Sequence, residues 1–168
     1  MTSGVLMNSA FIGYGSNLGD SRALIRRALI ELSSYGPVCS SGLYRSRPVG
    51  PQDQPDFWNG VAQLQTTLEP LALLDVLQAL EQQAGRERLR HWGERTLDLD
   101  LLLYGNACIQ TPRLTVPHLQ LQVRSFVLMP LLELAPDLAV DGTLLSSLPA
   151  ATDSTGITRV DDQNWWMA

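Results

Sequence analysis

The chain has 168 residues, of which 45% are hydrophobic and 17% charged, and its formal net charge at pH 7 is −5. This length and composition predict one globular domain over residues 1–168. The acidic balance argues against general binding of nucleic acid, which requires a basic face. No apolar run approaches the length of a membrane span and no basic region opens the chain, so a cytoplasmic protein without membrane contact is expected.

Cysteine, histidine and lysine usage excludes several kinds of chemistry. Cys39 and Cys108 are isolated, which favours reduced thiols, and His91 and His118 do not form a zinc motif with them. All 12 basic residues are arginines. The absence of lysine excludes a Walker A loop and a Schiff-base mechanism, so any phosphate recognition must depend on arginine.

The hydrophobic periodicity predicts six main elements in the first two thirds of the chain. In chain order they are a strand over 8–15, a helix over 21–34, strands over 38–44 and 58–68, a helix over 70–84 and a strand over 97–103. This order is the split βαβ plan. It predicts an α+β fold with a ferredoxin-like βαββαβ antiparallel sheet and helices on one face.

The remaining segments are predicted with less regular structure. A hairpin is expected over 107–116, then a helix from about Ser125 in which Pro130 predicts a kink or a late start. The tail from about residue 150 is polar, and we expect it to be peripheral and frayed. Glycines 13, 15 and 19 are interpreted as a tight turn. The proline-rich segment 45–57 is long for a compact domain, which favours a functional loop.

Two aspartates stand out in the strand over 97–103. Asp98 and Asp100 alternate with leucines, so both side chains lie on one face of the strand, with Cα atoms about 6.5 Å apart. Asp is a poor strand former and two adjacent carboxylates repel each other, so a bound cation would explain the pair. Mg²⁺ is the suitable ion. The alternative is a half-solvated strand whose outer face is acidic.

Three motifs together resemble one family. They are Arg-Thr-Leu-Asp-Leu-Asp-Leu-Leu-Leu-Tyr-Gly at 95–105, Gly-Pro-Gln-Asp-Gln-Pro-Asp at 50–56 and Leu-Thr-Val-Pro-His at 114–118. In this order they closely resemble 6-hydroxymethyl-7,8-dihydropterin pyrophosphokinase, and the resemblance extends from about residue 11 to 148. It implies a ferredoxin-like enzyme that transfers the terminal diphosphate of ATP to a reduced pterin, releasing AMP, in folate biosynthesis.

The resemblance also implies roles for individual residues. Asp98 and Asp100 would hold two Mg²⁺ ions, and Arg86 and Arg95 would be the catalytic arginines. The positions matching the pterin site are Ser46, Val49, Phe57, Asn59, Trp92 and Phe126. Those matching the ATP site are Gln78, Glu81, Arg88, Arg113, Thr115, His118 and Arg124. ATP and the pterin would be the only partners of a monomer.

Structural interpretations of the same residues remain open at this point. Arg86 and Arg95 could form surface ion pairs with neighbouring glutamates, Phe57 and Phe126 could be ordinary core residues, and an isolated histidine such as His118 is often a satisfied structural group. The chain also departs from the family pattern. It has Ser46-Arg47-Pro48 where the family often has Thr-Pro-Pro.

Further departures are Phe57 in place of a frequent tyrosine, Leu119 in place of an aromatic residue, and an arginine loop one residue short. Two alternative functions are also compatible with the sequence. One is a non-catalytic nucleotide- or pterin-binding module on the same fold, which would bind ligands without releasing AMP. The other is an RNA-binding module, since RNA readers share the ferredoxin-like plan. The acidic balance disfavours the second.

Overall fold

A computed structural model describes residues 7–48, 53–85 and 96–167 of the chain. The strands are β1 (Asn8–Ser16), β2 (Val38–Ser40), β3 (Leu43–Ser46), β4 (Phe57–Thr66), β5 (Asp98–Tyr104), β6 (Ile109–Gln110), β7 (Thr115–Val116), β8 (Ala139–Val140), β9 (Thr143–Leu144) and β10 (Ile157–Asp161). The helices are α1 (Ser21–Leu32), α2 (Pro70–Gln83) and α3 (Ser125–Leu134). All six predicted main elements are therefore present, with the differences given below.

One antiparallel sheet organises the fold. Its strand order is β10-β3-β4-β1-β5, and β2 also pairs with β4. The two hairpins β6–β7 and β8–β9 lie outside this sheet. Because β5 ends the sheet, its outer edge has no neighbouring strand among the described residues.

Apolar side chains cover both faces of the sheet. On one face Ile12 of β1 and Leu64 of β4 pack in a cluster with Ile25 of α1 and Leu77 of α2. On the opposite face Phe11 and Val61 belong to a second cluster with Leu128 and Leu131 of α3. The sheet is thus a layer between α1 and α2 on one side and α3 on the other.

A register shift in β5 changes one expectation. Leu97, Leu99 and Leu101 face α1 and α2, as predicted, but Leu103 belongs to the cluster on the α3 face. The reason is an irregularity in the pairing: Phe11 pairs with Leu103 while its neighbour Ile12 pairs with Leu101. A bulge of this kind turns the following side chains to the other face.

The strand predicted over 38–44 is wrong as a single element, because the chain is interrupted between β2 and β3. The backbone N–H of Gly42 donates to Glu133 Oε2 at 2.9 Å instead of to a strand. A Cβ on Gly42 would lie 2.3 Å from the carbonyl oxygen of Asp161. The close approach of the C-terminal segment therefore requires glycine here.

Helix boundaries differ in smaller ways. The Asp20 side chain accepts from Ala23 N–H and caps α1, which ends at Leu32 and continues as a 3₁₀ turn over Ser33–Tyr35. Helix α3 begins at Ser125 and continues through Pro130, so the predicted late start is wrong. Within the described residues, no helix has the length and apolar character to cross a membrane.

The expected fraying of the tail is wrong for residues 157–167. Strand β10 pairs with β3, and the indole N–H of Trp165 donates to the Tyr14 hydroxyl at 3.1 Å. Asn164 is bonded twice to the Ser40 backbone, through its side-chain oxygen and its own N–H. Trp165 and Trp166 are 8% and 7% exposed. The two indole rings bury enough apolar area to stabilise the tail, although most of its other residues are polar.

Candidate active site

A cavity lies between the sheet and the start of α3. Seven of the predicted site residues line it: Ser46, Phe57, Asn59, Asp98, Asp100, Arg124 and Phe126. Its other walls are Arg47, Val127, Leu102 and the backbone of β1 and β4 around Gly13, Tyr14, Gly15 and Gly60. We call it the inner cavity. Side chains from three distant parts of the sequence thus converge on one concave surface.

The two aspartates reach the cavity because β5 is an edge strand beside β1. Asp98 pairs with Gly15 and Asp100 with Gly13, so each carboxylate stands beside a residue with no side chain. Both aspartates are half-buried and line the inner cavity.

Gly13 and Gly15 are interior residues of β1, which confirms the strand predicted over 8–15, and of the three glycines interpreted with the turn only Gly19 lies beyond the strand. A Cβ on Gly13 would lie 3.4 Å from a Leu102 methyl carbon, and one on Gly15 would lie 3.5 Å from Asn59 Nδ2. The two glycines form the floor of the inner cavity. Their spacing of two residues places both on one strand face, a signal that the sequence contained.

A polar pair lies on the same sheet as the aspartates, with Gly15 of β1 between Asn59 and Asp98. The Ser46 hydroxyl donates to Asn59 Oδ1 at 2.8 Å, and both residues are buried. This bond fixes the orientation of the Asn59 amide, which carries a donor and an acceptor side by side. The Asn59 amide is therefore held in an orientation in which it could hydrogen-bond the edge of a polar heterocycle.

Phe57 and Phe126 provide flat apolar surfaces on the cavity wall. Neither ring belongs to the two apolar clusters of the described residues, and both are half-buried. Both rings therefore lie outside the two apolar clusters and at the cavity wall. The guanidinium carbon of Arg124 lies 5.6 Å from the centre of the Phe126 ring, a cation–π distance.

Among the described residues, the predicted ATP residues other than Arg124 lie outside the lining of the inner cavity. Arg113 is exposed and donates to Asp75 Oδ1 at 2.6 Å and to Gln78 Oε1 at 3.1 Å. Thr115 is half-buried in β7. Buried Glu81 accepts the Leu99 N–H at 2.8 Å. The contact of these residues with ATP stays a prediction.

His118 and the remaining predicted residues complete the set. The backbone N–H of Gln120 donates to His118 Nδ1 at 3.1 Å, and the backbone N–H of His118 donates to the Leu102 carbonyl oxygen at 3.0 Å. His118 is therefore hydrogen-bonded within the protein. Five predicted residues lie outside the described part of the chain: Val49, Arg86, Arg88, Trp92 and Arg95.

Two tyrosines beside the site have raised pKa values. Burial raises the pKa of Tyr14, whose hydroxyl bonds Ser40 and Trp165 on the face away from the aspartates. Burial, with the adjacent negative charge of Glu133, raises the pKa of Tyr44. Tyr44 donates to Glu133 Oε1 at 2.6 Å. Both phenols stay neutral at physiological pH and act as structural donors or acceptors rather than as bases.

The described residues contain no group of three or more His, Cys, Asp or Glu side chains that could hold a metal ion. The inner cavity instead presents two carboxylates. That donor set fits Mg²⁺, which is commonly bound by one or two carboxylates together with substrate phosphates. The residues present are thus compatible with an ion whose remaining ligands come from a nucleotide.

Solved structures resemble this fold. An HPPK-DHPS structure in complex with substrates matches with a TM-score of 0.67 and 15% identity, covering 84% of this chain and 43% of that one. A Plasmodium falciparum HPPK-DHPS triple mutant with pteroate matches with a TM-score of 0.65 and 14% identity, covering 91% and 46%. The chain spans less than half the length of these proteins, and at such identities the likeness shows the fold alone.

Sequence comparisons are more specific. The family model described as 7,8-dihydro-6-hydroxymethylpterin-pyrophosphokinase (HPPK) matches residues 11–136. The 2-amino-4-hydroxy-6-hydroxymethyldihydropteridine pyrophosphokinase of Haemophilus influenzae is 51% identical over 137 residues, covering 80% of this chain and 86% of the relative. The Pseudomonas aeruginosa protein of the same name is 49% identical over 159 residues, covering 92% and 98%. The chain belongs to the 7,8-dihydro-6-hydroxymethylpterin-pyrophosphokinase family.

Proposed function

We propose that the inner cavity is where this pyrophosphokinase of folate biosynthesis transfers the terminal diphosphate of ATP to the hydroxymethyl group of a reduced pterin, releasing AMP. The observation that carries the proposal is the convergence on one cavity of two carboxylates, two aromatic rings, an oriented amide and two arginines. Each group suits one part of that reaction. A non-catalytic binding module would have no need for the paired carboxylates.

The pterin lies between Phe57 and Phe126 in this proposal. A flat heterocycle gains stacking energy against aromatic rings, and the Asn59 amide held by Ser46 can pair with its polar edge. Val49 and Trp92 are proposed to complete this half of the site.

Asp98 and Asp100 are proposed to hold two Mg²⁺ ions together with the ATP phosphates. When bound, the ions would supply positive charge against the negative charge that spreads over the transferred diphosphate. The chain's own contribution is to hold both carboxylates on strand β5, beside Gly13 and Gly15 of β1. Their positions therefore do not depend on flexible loops.

Arginines are proposed to bind the phosphates, because the chain has no lysine. Arg124 is at the cavity wall, and Arg86 and Arg95 are proposed as the catalytic pair through the family pattern. The guanidinium fork pairs with two phosphate oxygens at once. The other proposed nucleotide contacts are Gln78, Glu81, Arg88, Arg113, Thr115 and His118.

The ferredoxin-like plan is proposed for the sheet core. The order β5-β1-β4-β3, with antiparallel pairing throughout and α1 and α2 on one face, supports it. Strand β10 and helix α3 are additions to that plan.

The reaction is tested by mixing the protein with ATP, Mg²⁺ and 6-hydroxymethyl-7,8-dihydropterin and measuring AMP. Asp98→Ala and Asp100→Ala should each reduce turnover by a factor of about 100 to 1,000, as loss of a charge-stabilising group does. Asp162→Ala is the matched control, because that side chain is 97% exposed on the far tail. Retained AMP release in either cavity variant would contradict the metal assignment, and its absence in the wild type would contradict the function.

A further inference from the structure

A second cavity adjoins the inner cavity on the outer side of α3. Three segments line it: Ser46 and Arg47 after β3, residues between Gln120 and Phe126, and residues 155–157 just before and at the start of β10. We call it the outer cavity. Ser46, Arg47, Arg124 and Phe126 line both cavities, so a ligand in one is next to a ligand in the other.

The two cavities differ in charge. The inner cavity has two arginines, Arg47 and Arg124, facing the two carboxylates of Asp98 and Asp100. The outer cavity has the same two arginines and, among its described lining residues, no acidic side chain. Its other polar groups include the Ser125 and Thr155 side chains. A concave surface lined by positive side chains without nearby negative ones attracts anions, even in a chain with a net charge of −5.

Arg47 is held at the junction by the tail. Its backbone N–H donates to the Gly156 carbonyl at 3.1 Å. Its Cδ and Cγ atoms lie 3.3 and 3.4 Å from the position that a Cβ on Gly156 would occupy. The aliphatic stem of Arg47 therefore lies against a bare glycine, which leaves the guanidinium at the cavity wall.

The guanidinium of Arg47 has no acidic partner among the described residues. Arg45, two residues earlier, approaches Asp56 at 3.9 Å, whereas Arg47 has no ion pair or side-chain hydrogen bond to another described residue. The side chain is exposed, yet its stem is positioned. A positioned arginine without a counter-ion beside a substrate cavity is suited to a ligand that brings the negative charge.

We propose that the outer cavity is an anion subsite for a diphosphate ester, with Arg47 as its anchor, and that its ligand is the pterin diphosphate formed in the inner cavity. This inference rests on the proposed function. The reaction converts an uncharged hydroxymethyl group into a diphosphate. A cation that lines both cavities therefore distinguishes product from substrate, and Arg47 holds the product through its new charge.

Isothermal titration calorimetry tests the subsite with three probes: the pterin diphosphate, 6-hydroxymethyl-7,8-dihydropterin and a non-hydrolysable ATP analogue. Arg47→Gln should weaken binding of the pterin diphosphate about tenfold, the value of one charge-assisted hydrogen bond. Affinity for the other two probes should stay within about twofold. Arg47→Lys should give an intermediate loss, because it keeps the charge and loses the fork.

Arg45→Gln is the matched control, with the same change of charge on the same segment but outside both cavities. It should bind all three probes as the wild type does. Unchanged affinity of Arg47→Gln for the pterin diphosphate would overturn the subsite, and a loss confined to the ATP analogue would overturn its assignment to the product. A wild type that releases no AMP would instead contradict the proposed function, so the two failures are distinguishable.

Discussion

The carboxylate of Glu81 on α2 accepts the backbone N–H of Leu99, the residue between Asp98 and Asp100, at 2.8 Å. Strand β5 is the edge of the sheet, so this N–H has no partner strand, and Glu81 occupies the place that a further strand would take. A buried side chain on a helix thus fixes the backbone that carries both proposed metal ligands. We therefore expect Glu81 to position the pair, in addition to its proposed contact with ATP.

Replacement of Glu81 should separate these roles. Glu81→Ala leaves a buried N–H unsatisfied and should lower the free energy of unfolding by about 1–3 kcal/mol, with a fall in kcat as the carboxylates lose their support. Glu81→Gln keeps an oxygen acceptor and should lose less of both. Urea unfolding and AMP release are the measurements. Equal losses in the two variants would show that the negative charge, not the acceptor, is what the site requires.

Loss of an aromatic wall should affect the pterin and not the fold. Phe57→Ala and Phe126→Ala should each weaken pterin binding by about 1–3 kcal/mol, the range measured for bases stacked on aromatic side chains. Because neither ring is in an apolar cluster, the melting temperature should change little. Phe57→Leu, which keeps bulk without the ring, is the control. If stability fell as far as affinity, these rings would be core residues after all.

The tail should contribute to stability through its indole rings. Trp165→Ala removes a buried ring and its hydrogen bond to Tyr14, and should cost about 3–5 kcal/mol. Met167→Ala, at a side chain that is 67% exposed, should stay within about 0.5 kcal/mol of the wild type. Thermal or urea unfolding measures both. A tail that frays would make the two variants equal.

Alkaline pH should destabilise the protein through Tyr14 and Tyr44. Both pKa values are raised in the folded state, so their contribution to stability is complete below the unfolded pKa of about 10. Above that pH the unfolded chain ionises first, and the free energy of unfolding should fall as pH rises toward the folded values. Urea unfolding between pH 8 and pH 11 measures the slope. The double variant Tyr14→Phe with Tyr44→Phe should show a shallower slope; an unchanged one would contradict the assignment.

Local patterns in the sequence determined much of this protein. The alternation around Asp98 and Asp100 predicted a strand with both carboxylates on one face, and the 3.6-residue periodicity after Asp20 and Pro70 predicted two helices, because side-chain direction follows from backbone period. The six proposed pterin residues were identified through the family resemblance, and the structure brings four of them, Ser46, Phe57, Asn59 and Phe126, to one cavity.

Other features depended on contacts between residues far apart in the chain. A bulge opposite β1 turned Leu103 to the α3 face, Trp165 found a buried partner in Tyr14, and Gly156 came to lie under the stem of Arg47. No local pattern encodes these pairings, because register and docking are chosen by the total apolar burial and hydrogen bonding of the assembled layers. The strand that carries Asp98 and Asp100 could therefore be predicted from the sequence, whereas the second cavity and the ordered tail required the tertiary structure.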